Sequence, residues 1–195
     1  MNLTFDISGN GEIYLDVLKT ICGDTNNKSM IDLGSGNAPS TRQLGFTFKT
    51  YVDIVNRDIQ EENKFFEQRD ILEMVKENVF PAYDVSISLD NLEHYYKDDA
   101  LNVLEWVQNN SAKQIIFTPL GKYCTIEVEG NKDPDTHKSG WTDEEFEAMG
   151  WATITFPHYH QLLGGLGAFF AWHCDNIEQD FERVKNELKN KSWTK

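Results

Sequence analysis

The chain has 195 residues, 39% of them hydrophobic, 26% charged and 12% aromatic, which is enough for one substantial core in a single domain spanning 1–195. Its net charge of −14 comes without any run of basic residues beyond lysines scattered near the C-terminus; that argues against a nucleic-acid partner and favours a small molecule. Three cysteines with no CxxC pair fit neither a zinc knuckle nor a dithiol motif and suit a reducing cytoplasm.

The opening segment MNLTFDISGNGE has neither the basic nor the apolar region of a signal peptide. Residues 1–28 read as an N-terminal helical segment. Within it, residues 12–22 place Ile13, Val17, Leu18 and Ile21 on one helical face, and Gly23 ends the helix. Residues 29–33 are a short apolar run, read as a strand. Pro39 suits the first turn of a short helix. Strands follow at 50–55 and, more weakly, at 65–69, then a helix at 71–79 and a strand at 83–89. Residues 98–109 are helical, and 114–118 (QIIFT) form a strand. Thr142 and Glu145 make a capping box for a helix that ends at Gly150. Two late strands lie at 152–156 and 168–173. The apolar stretch LLGGLGAFFAW, residues 162–172, is too short to span a bilayer, so no membrane partner is expected. The last helix carries Ile177, Phe181, Val184 and Leu188 as one stripe, with Asp175 and Glu178 as its expected cap.

Strands alternating with helices imply an α/β doubly wound sheet with helices on both faces. The join between the two late strands shows no helix, so they should pair antiparallel. The expectation is five parallel strands with an antiparallel edge.

In such sheets ligands bind beyond the carboxyl ends of the strands. The stretch MIDLGSGNAPS leaves the first apolar strand there, with Gly34 and Gly36 in its turn. A dinucleotide loop would want glycine where Pro39 stands. Asp32 would also set a carboxylate against a pyrophosphate, and no lysine follows the glycines as in a P-loop. A cationic ligand without phosphates fits better, and S-adenosylmethionine is one. Asp53, at the end of the next strand, could accept both ribose hydroxyls, and Asp70 could accept from an adenine amino group. An isolated aspartate at either place would be read as a loop cap.

Taken together, IDLGSGNA, YVDIV, QRDILE, SISLDNLEHYY and HKSGWTDEEFEAMGW resemble, in order and spacing, the class I S-adenosylmethionine-dependent methyltransferases. The resemblance covers most of the chain. It implies a seven-stranded sheet with the last strand antiparallel, methyl transfer, and release of S-adenosylhomocysteine. It also implies a cofactor site made by Asp32, Gly34, Ser35, Gly36, Asp53, Ile54, Asp70, Ile71 and Leu89. Ala38 replaces the family's third glycine, which the loop should tolerate with φ negative there.

Methyl transfer needs mainly orientation, with a base for some acceptors. His94 is the candidate base. Asp90, Glu93 and His94 also resemble the metal segment of ubiquinone-pathway O-methyltransferases. No metal is assigned, although these three could hold a divalent ion. Tyr95, Tyr96, Tyr123, His137, Trp141, His158 and His160 are candidates for the acceptor pocket; 119–141 reads as a substrate-side loop or lid, and 158–160 as a second acceptor-side loop. The acceptor atom, O or N, stays open. So do binding or breakdown of adenosylmethionine without methyl transfer, and a dinucleotide oxidoreductase with a degenerate loop.

Overall fold

A computed structural model describes residues 1–7, 11–57, 59, 61, 64–78, 82–121, 136–160 and 166–194, apart from the side chains of His160 and Thr194. Tyr123, Cys124, the acidic segment 127–135 and the His160 side chain lie outside the described residues. The elements run β1 (Asn2–Thr4), α1 (Gly11–Cys22), β2 (Ser29–Leu33), β3 (Phe48–Asp53), β4 (Lys64–Gln68), α2 (Ile71–Glu77) and β5 (Tyr83–Leu89). They continue with α3 (Lys97–Asn110), β6 (Ser111–Pro119), α4 (Asp143–Ala148), β7 (Ala152–His160), β8 (Leu166–Cys174) and α5 (Ile177–Leu188).

All eight strands form one sheet in the order β1-β7-β8-β6-β5-β2-β3-β4. Five of them, β2 to β6, pair parallel, as expected. Two expectations need correction. The sheet has eight strands, because Asn2–Thr4 adds beside β7 in parallel register, within the segment expected to be only helical. The reversed strand is also not an edge: β8 lies between β6 and β7, antiparallel to both. A join too short for a crossover helix makes β8 reverse on β7. The pairing then leaves β7 pointing with the parallel set, where β1 can extend it.

Alternation along the strands fills both faces. Met30 faces the cluster under α1 and α5, while Ile31 faces the cluster under α2 and α3. Phe117 and Ile116 divide in the same way, the latter toward α4. The α1 stripe is fully buried at Val17, Leu18 and Ile21, each of which stabilises the fold by about 1.5–3 kcal/mol through apolar burial. The α4 capping box forms as expected, Thr142 accepting from the Glu145 amide and Glu145 from the Thr142 amide. Asp175 does not cap α5; Asn176 holds that position without a side-chain bond. The expected helix at Pro39 is a single 3-10 turn, Thr41–Gln43. Among the described residues no helix is long and apolar enough to cross a membrane.

Candidate active-site cleft

The cleft opens where β2 has β3 on one side and β5 on the other, at the carboxyl ends of all three. The turn after β2 begins at Gly34, with φ +71°. A methyl group there would come within 2.2 Å of Asn91 Oδ1, so only glycine fits. The amides of Gly34 and Ser35 both donate to the Val52 carbonyl, at 2.9 and 3.0 Å. The Gly36 amide donates to Asp53 Oδ2 at 2.8 Å, and Asp53 Oδ1 accepts from the Val55 amide at 2.8 Å. Asp53 therefore fixes the turn as well as facing the cleft. Asn91 braces the other side through Ser88, whose hydroxyl in turn donates to the Leu33 carbonyl. Ala38 departs from expectation: its φ is +51°, in the left-handed region, with its amide donating to the Ser35 carbonyl at 2.8 Å. The turn demands the conformation a glycine would supply, and alanine adopts it at a cost.

Asp32 sits beneath the turn, 2% exposed, and accepts from Thr41 Oγ1 at 2.5 Å. Burial pushes its carboxyl up to about 7; the Thr41 bond opposes the rise and the charge of Asp53 adds to it.

Two adjoining cavities flank the turn. The larger, about 390 Å³, is lined by Gly34, Ser35, Gly36, Asp53, Ile54, Asp70, Ile71, Leu89, Asp90, His94 and Tyr95, among others. The smaller, about 290 Å³, is lined by Asp32, Tyr14, Thr41 and Tyr159, and shares Gly34, Ser35, Pro39, Leu89 and Asp90 with its neighbour. The structure thus brings all nine expected cofactor residues to one divided cleft. Asp70 also does what an isolated loop aspartate would: it caps α2 by accepting from the Leu72 amide at 2.8 Å.

Past β5 the chain turns sharply at Asp90, a non-glycine residue with φ +49°. Asp90 is exposed to the open cleft, yet the protein packed around its carboxyl partly desolvates it and raises its pKa to about 6. Glu93, 3% exposed, is pushed up to about 8 by burial and by the Asp90 charge, although Thr118 Oγ1 donates to it at 3.0 Å. The Glu93 carbonyl accepts from the amides of Lys138 and Ser139 at 2.7 and 3.1 Å. That pairing lays segment 136–141 across the Leu92–His94 turn. It brings the His137 ring to 4.9 Å from that of His94, and the Thr136 carbonyl to 3.4 Å from His94 Nδ1.

Not every expected acceptor residue reaches the cleft. Tyr95 lines the larger cavity. Trp141 does not line either cavity; it is 1% exposed, packed on Phe146, with its indole N–H donating to Ser139 Oγ and the Lys97 ammonium over its ring. An aromatic residue in a polar segment suggested a wall, but it anchors that segment to the core. His158 is on the surface beside Asp6, 3.5 Å away. Tyr96 is half exposed. Conversely, Tyr14, Asn91, Arg57 and Arg69 line the cleft and were missed, while Lys138 and Tyr159 line it from within segments expected on the acceptor side but were not singled out. Tyr14 lay hidden in the apolar stripe of α1. Tyr159 lies beyond the 152–156 run read as a strand, which in the structure continues to His160 as β7.

No family model matches the chain, and no curated protein matches it in sequence. Solved structures match it in fold. The N-methyltransferase NodS from Bradyrhizobium japonicum is 9% identical, with a TM-score of 0.61 over 83% of this chain and 93% of that one. Magnesium protoporphyrin IX methyltransferase (ChlM) from Synechocystis PCC 6803, solved with bound SAH, is 13% identical, with a TM-score of 0.56 over 83% of this chain and 79% of that one. The small RNA methyltransferase HEN1 is 15% identical, with a TM-score of 0.56 over 86% of this chain and 26% of that one. At such identities the likeness is one of fold: the chain has the fold of class I methyltransferases.

Proposed function

We propose that the chain transfers a methyl group from S-adenosylmethionine to a small-molecule acceptor, releasing S-adenosylhomocysteine. One observation carries this reading. The amides of Gly34, Ser35 and Gly36, which a phosphate would need, are all engaged by Val52 and by the Asp53 carboxylate. A turn so occupied, with Asp32 beneath it, repels pyrophosphate and accommodates a cation. The divided cleft suits a two-ended ligand. Asp53, Ile54, Asp70 and Ile71 would hold the adenosine half in the larger cavity. Asp32 would face the amino group of the methionine half across the smaller one. The sulfonium would lie where the cavities meet, beside Leu89 and Asp90.

The fold leaves the acceptor open, since the three matched proteins are named for different ones. A small molecule is favoured here because, among the described residues, no lysine or arginine lines the smaller cavity, and the net charge is −14. Tyr14, Tyr95 and Tyr159 would contact it. The reducing cytoplasm suits the free thiols of Cys22 and Cys174. Incubation with methyl-labelled S-adenosylmethionine and a metabolite extract should move label onto an acceptor, with one S-adenosylhomocysteine per transfer. Donor breakdown with no labelled acceptor would contradict the proposal.

A further inference from the structure

We propose that the methyl acceptor is an amine carrying an ammonium charge, held in the smaller cavity by the Asp90 carboxylate and the Tyr14 hydroxyl. The inference deepens the methyl-transfer reading and rests on it. Two polar groups of that cavity find no partner within the chain. Asp90 lines both cavities, and among the described residues its carboxylate makes no hydrogen bond or ion pair. Its backbone is held at φ +49°, and a non-glycine residue kept in that conformation with its side chain unsatisfied points to a ligand. Tyr14 is 8% exposed, with its ring centred 4.8 and 5.1 Å from those of Phe117 and Phe170. Its hydroxyl has no hydrogen-bond partner among the described residues. A buried hydroxyl left so is costly, and the N–H of a ligand would satisfy it.

Charge decides the class of ligand. Among the described residues, Asp32 and Asp90 are the acids that line the smaller cavity, and no lysine, arginine or histidine lines it. Glu93 lines neither cavity, and its carboxyl, raised by burial to about 8, holds its proton at neutral pH. The methionine half of the donor has an ammonium, a carboxylate and a sulfonium, so its net charge is a single positive one. One further cation balances both aspartates. An ammonium does so, whereas a neutral hydroxyl leaves one desolvated carboxylate unpaired. Burial, and then the Asp90 charge, raise the phenols of Tyr14 and Tyr159, so both keep their protons and stay uncharged. Their rings, centred 6.4 Å apart, border the same space and favour a cation over an anion.

The same carboxylate supplies the chemistry. Desolvation makes Asp90 more basic than an ordinary aspartate. The ammonium gives a proton to Asp90, and the freed nitrogen lone pair forms the bond to the methyl carbon. The sulfur–carbon bond breaks with its electron pair staying on sulfur. The product leaves as the methylated ammonium, and Asp90 returns its proton to water in the open cleft. His94, the base expected from the sequence, lines the larger cavity and not the smaller.

The test has a binding arm and a transfer arm, both on the full-length chain. In the first, protein saturated with S-adenosylhomocysteine is titrated by calorimetry with phenethylamine and with phenethyl alcohol, a matched cation and neutral molecule. The amine should bind about tenfold more tightly, the scale of a hydrogen bond to a charged group, and should lose that margin in Asp90→Asn. Asparagine tolerates the left-handed backbone at residue 90, and binding of S-adenosylhomocysteine reports that the variant is folded. Tyr14→Phe should weaken the amine about fivefold. In the second arm, methyl-labelled S-adenosylmethionine is incubated with a metabolite extract, either untreated or acetylated to block its amines. Label should appear on nitrogen, vanish after acetylation, and form about a hundredfold more slowly with Asp90→Asn. Equal affinity for the two probes, unchanged amine affinity in Asp90→Asn, label on oxygen, or transfer undiminished by acetylation would overturn the proposal. Preference for the amine without any transfer of label would instead leave the ammonium site standing and sink the methyltransferase reading.

Discussion

Gly34 and Ala38 stand four residues apart in one turn, both with left-handed backbone, and they should respond to substitution in opposite ways. Gly34→Ala drives a methyl group into Asn91, which is itself held by Ser88 and cannot yield freely. The turn would have to move, and we predict loss of S-adenosylhomocysteine binding together with at least about 1–2 kcal/mol of stability, the cost of a left-handed alanine alone. Ala38→Gly relieves a strain of that same size. It also frees the unfolded chain by about 0.5–1 kcal/mol and removes one buried methyl group worth about 0.8 kcal/mol. These effects nearly cancel, so urea unfolding should place Ala38→Gly within about 0.5 kcal/mol of the parent. The cancellation shows how this turn tolerates alanine in a left-handed conformation. Asp32 gives a prediction in pH. Its folded pKa is about 7, well above that of an unfolded aspartate, so the folded chain holds a proton that the unfolded chain has lost. Its contribution to stability is therefore fully present below about pH 4 and declines as pH rises toward 7, by on the order of a few kcal/mol. Asp32→Asn removes that decline. The variant should gain on the wild type between pH 4 and 7, and parallel stability curves for the two would refute the assignment. The identity of Asp32 was legible from the acid-x-Gly-x-Gly spacing. The positive φ of Ala38 was not, because it is imposed by the hydrogen bonds of a turn rather than by the side chain.

At the scale of elements, the capping box of α4 shows what a local signal can establish. Threonine and glutamate three residues apart satisfy each other's amides without help from distant residues, so the spacing alone located the helix. Because α4 has only six residues, it depends on this cap. Thr142→Ala should cost about 1 kcal/mol in denaturant unfolding while leaving ligand binding intact. A change in binding affinity would show that α4 matters to the cleft beyond its packing. Two other elements escaped local reading. β1 has only three residues, too few for a period to show, and it becomes a strand only because β7 offers an edge. The place of β8 between β6 and β7 is a fact about pairing partners, which no single strand encodes. The α5 cap was misread because Asp175 precedes the helix by one residue too many, so that Asn176 falls at the boundary.

At the scale of the whole molecule, what could be read depended on how far apart the parts of the cleft lie in sequence. The cofactor side gathers short motifs that each follow a strand, and sheet topology alone brings them together. The acceptor side is assembled across long separations. His137 meets His94 only because the amides of residues 138 and 139 find the Glu93 carbonyl, and Trp141 leaves the cleft because the core behind α4 takes it. Tyr14 and Tyr159 reach the smaller cavity from α1 and β7, at opposite ends of the chain. On this reading the cleft binds a phosphate-free adenosyl ligand. Calorimetry with S-adenosylhomocysteine and NAD, on the wild type and on Asp53→Ala, tests it most directly. One-to-one binding of S-adenosylhomocysteine is expected, with none of NAD and a clear loss of affinity in Asp53→Ala. Binding of NAD, or unchanged affinity in Asp53→Ala, would contradict it.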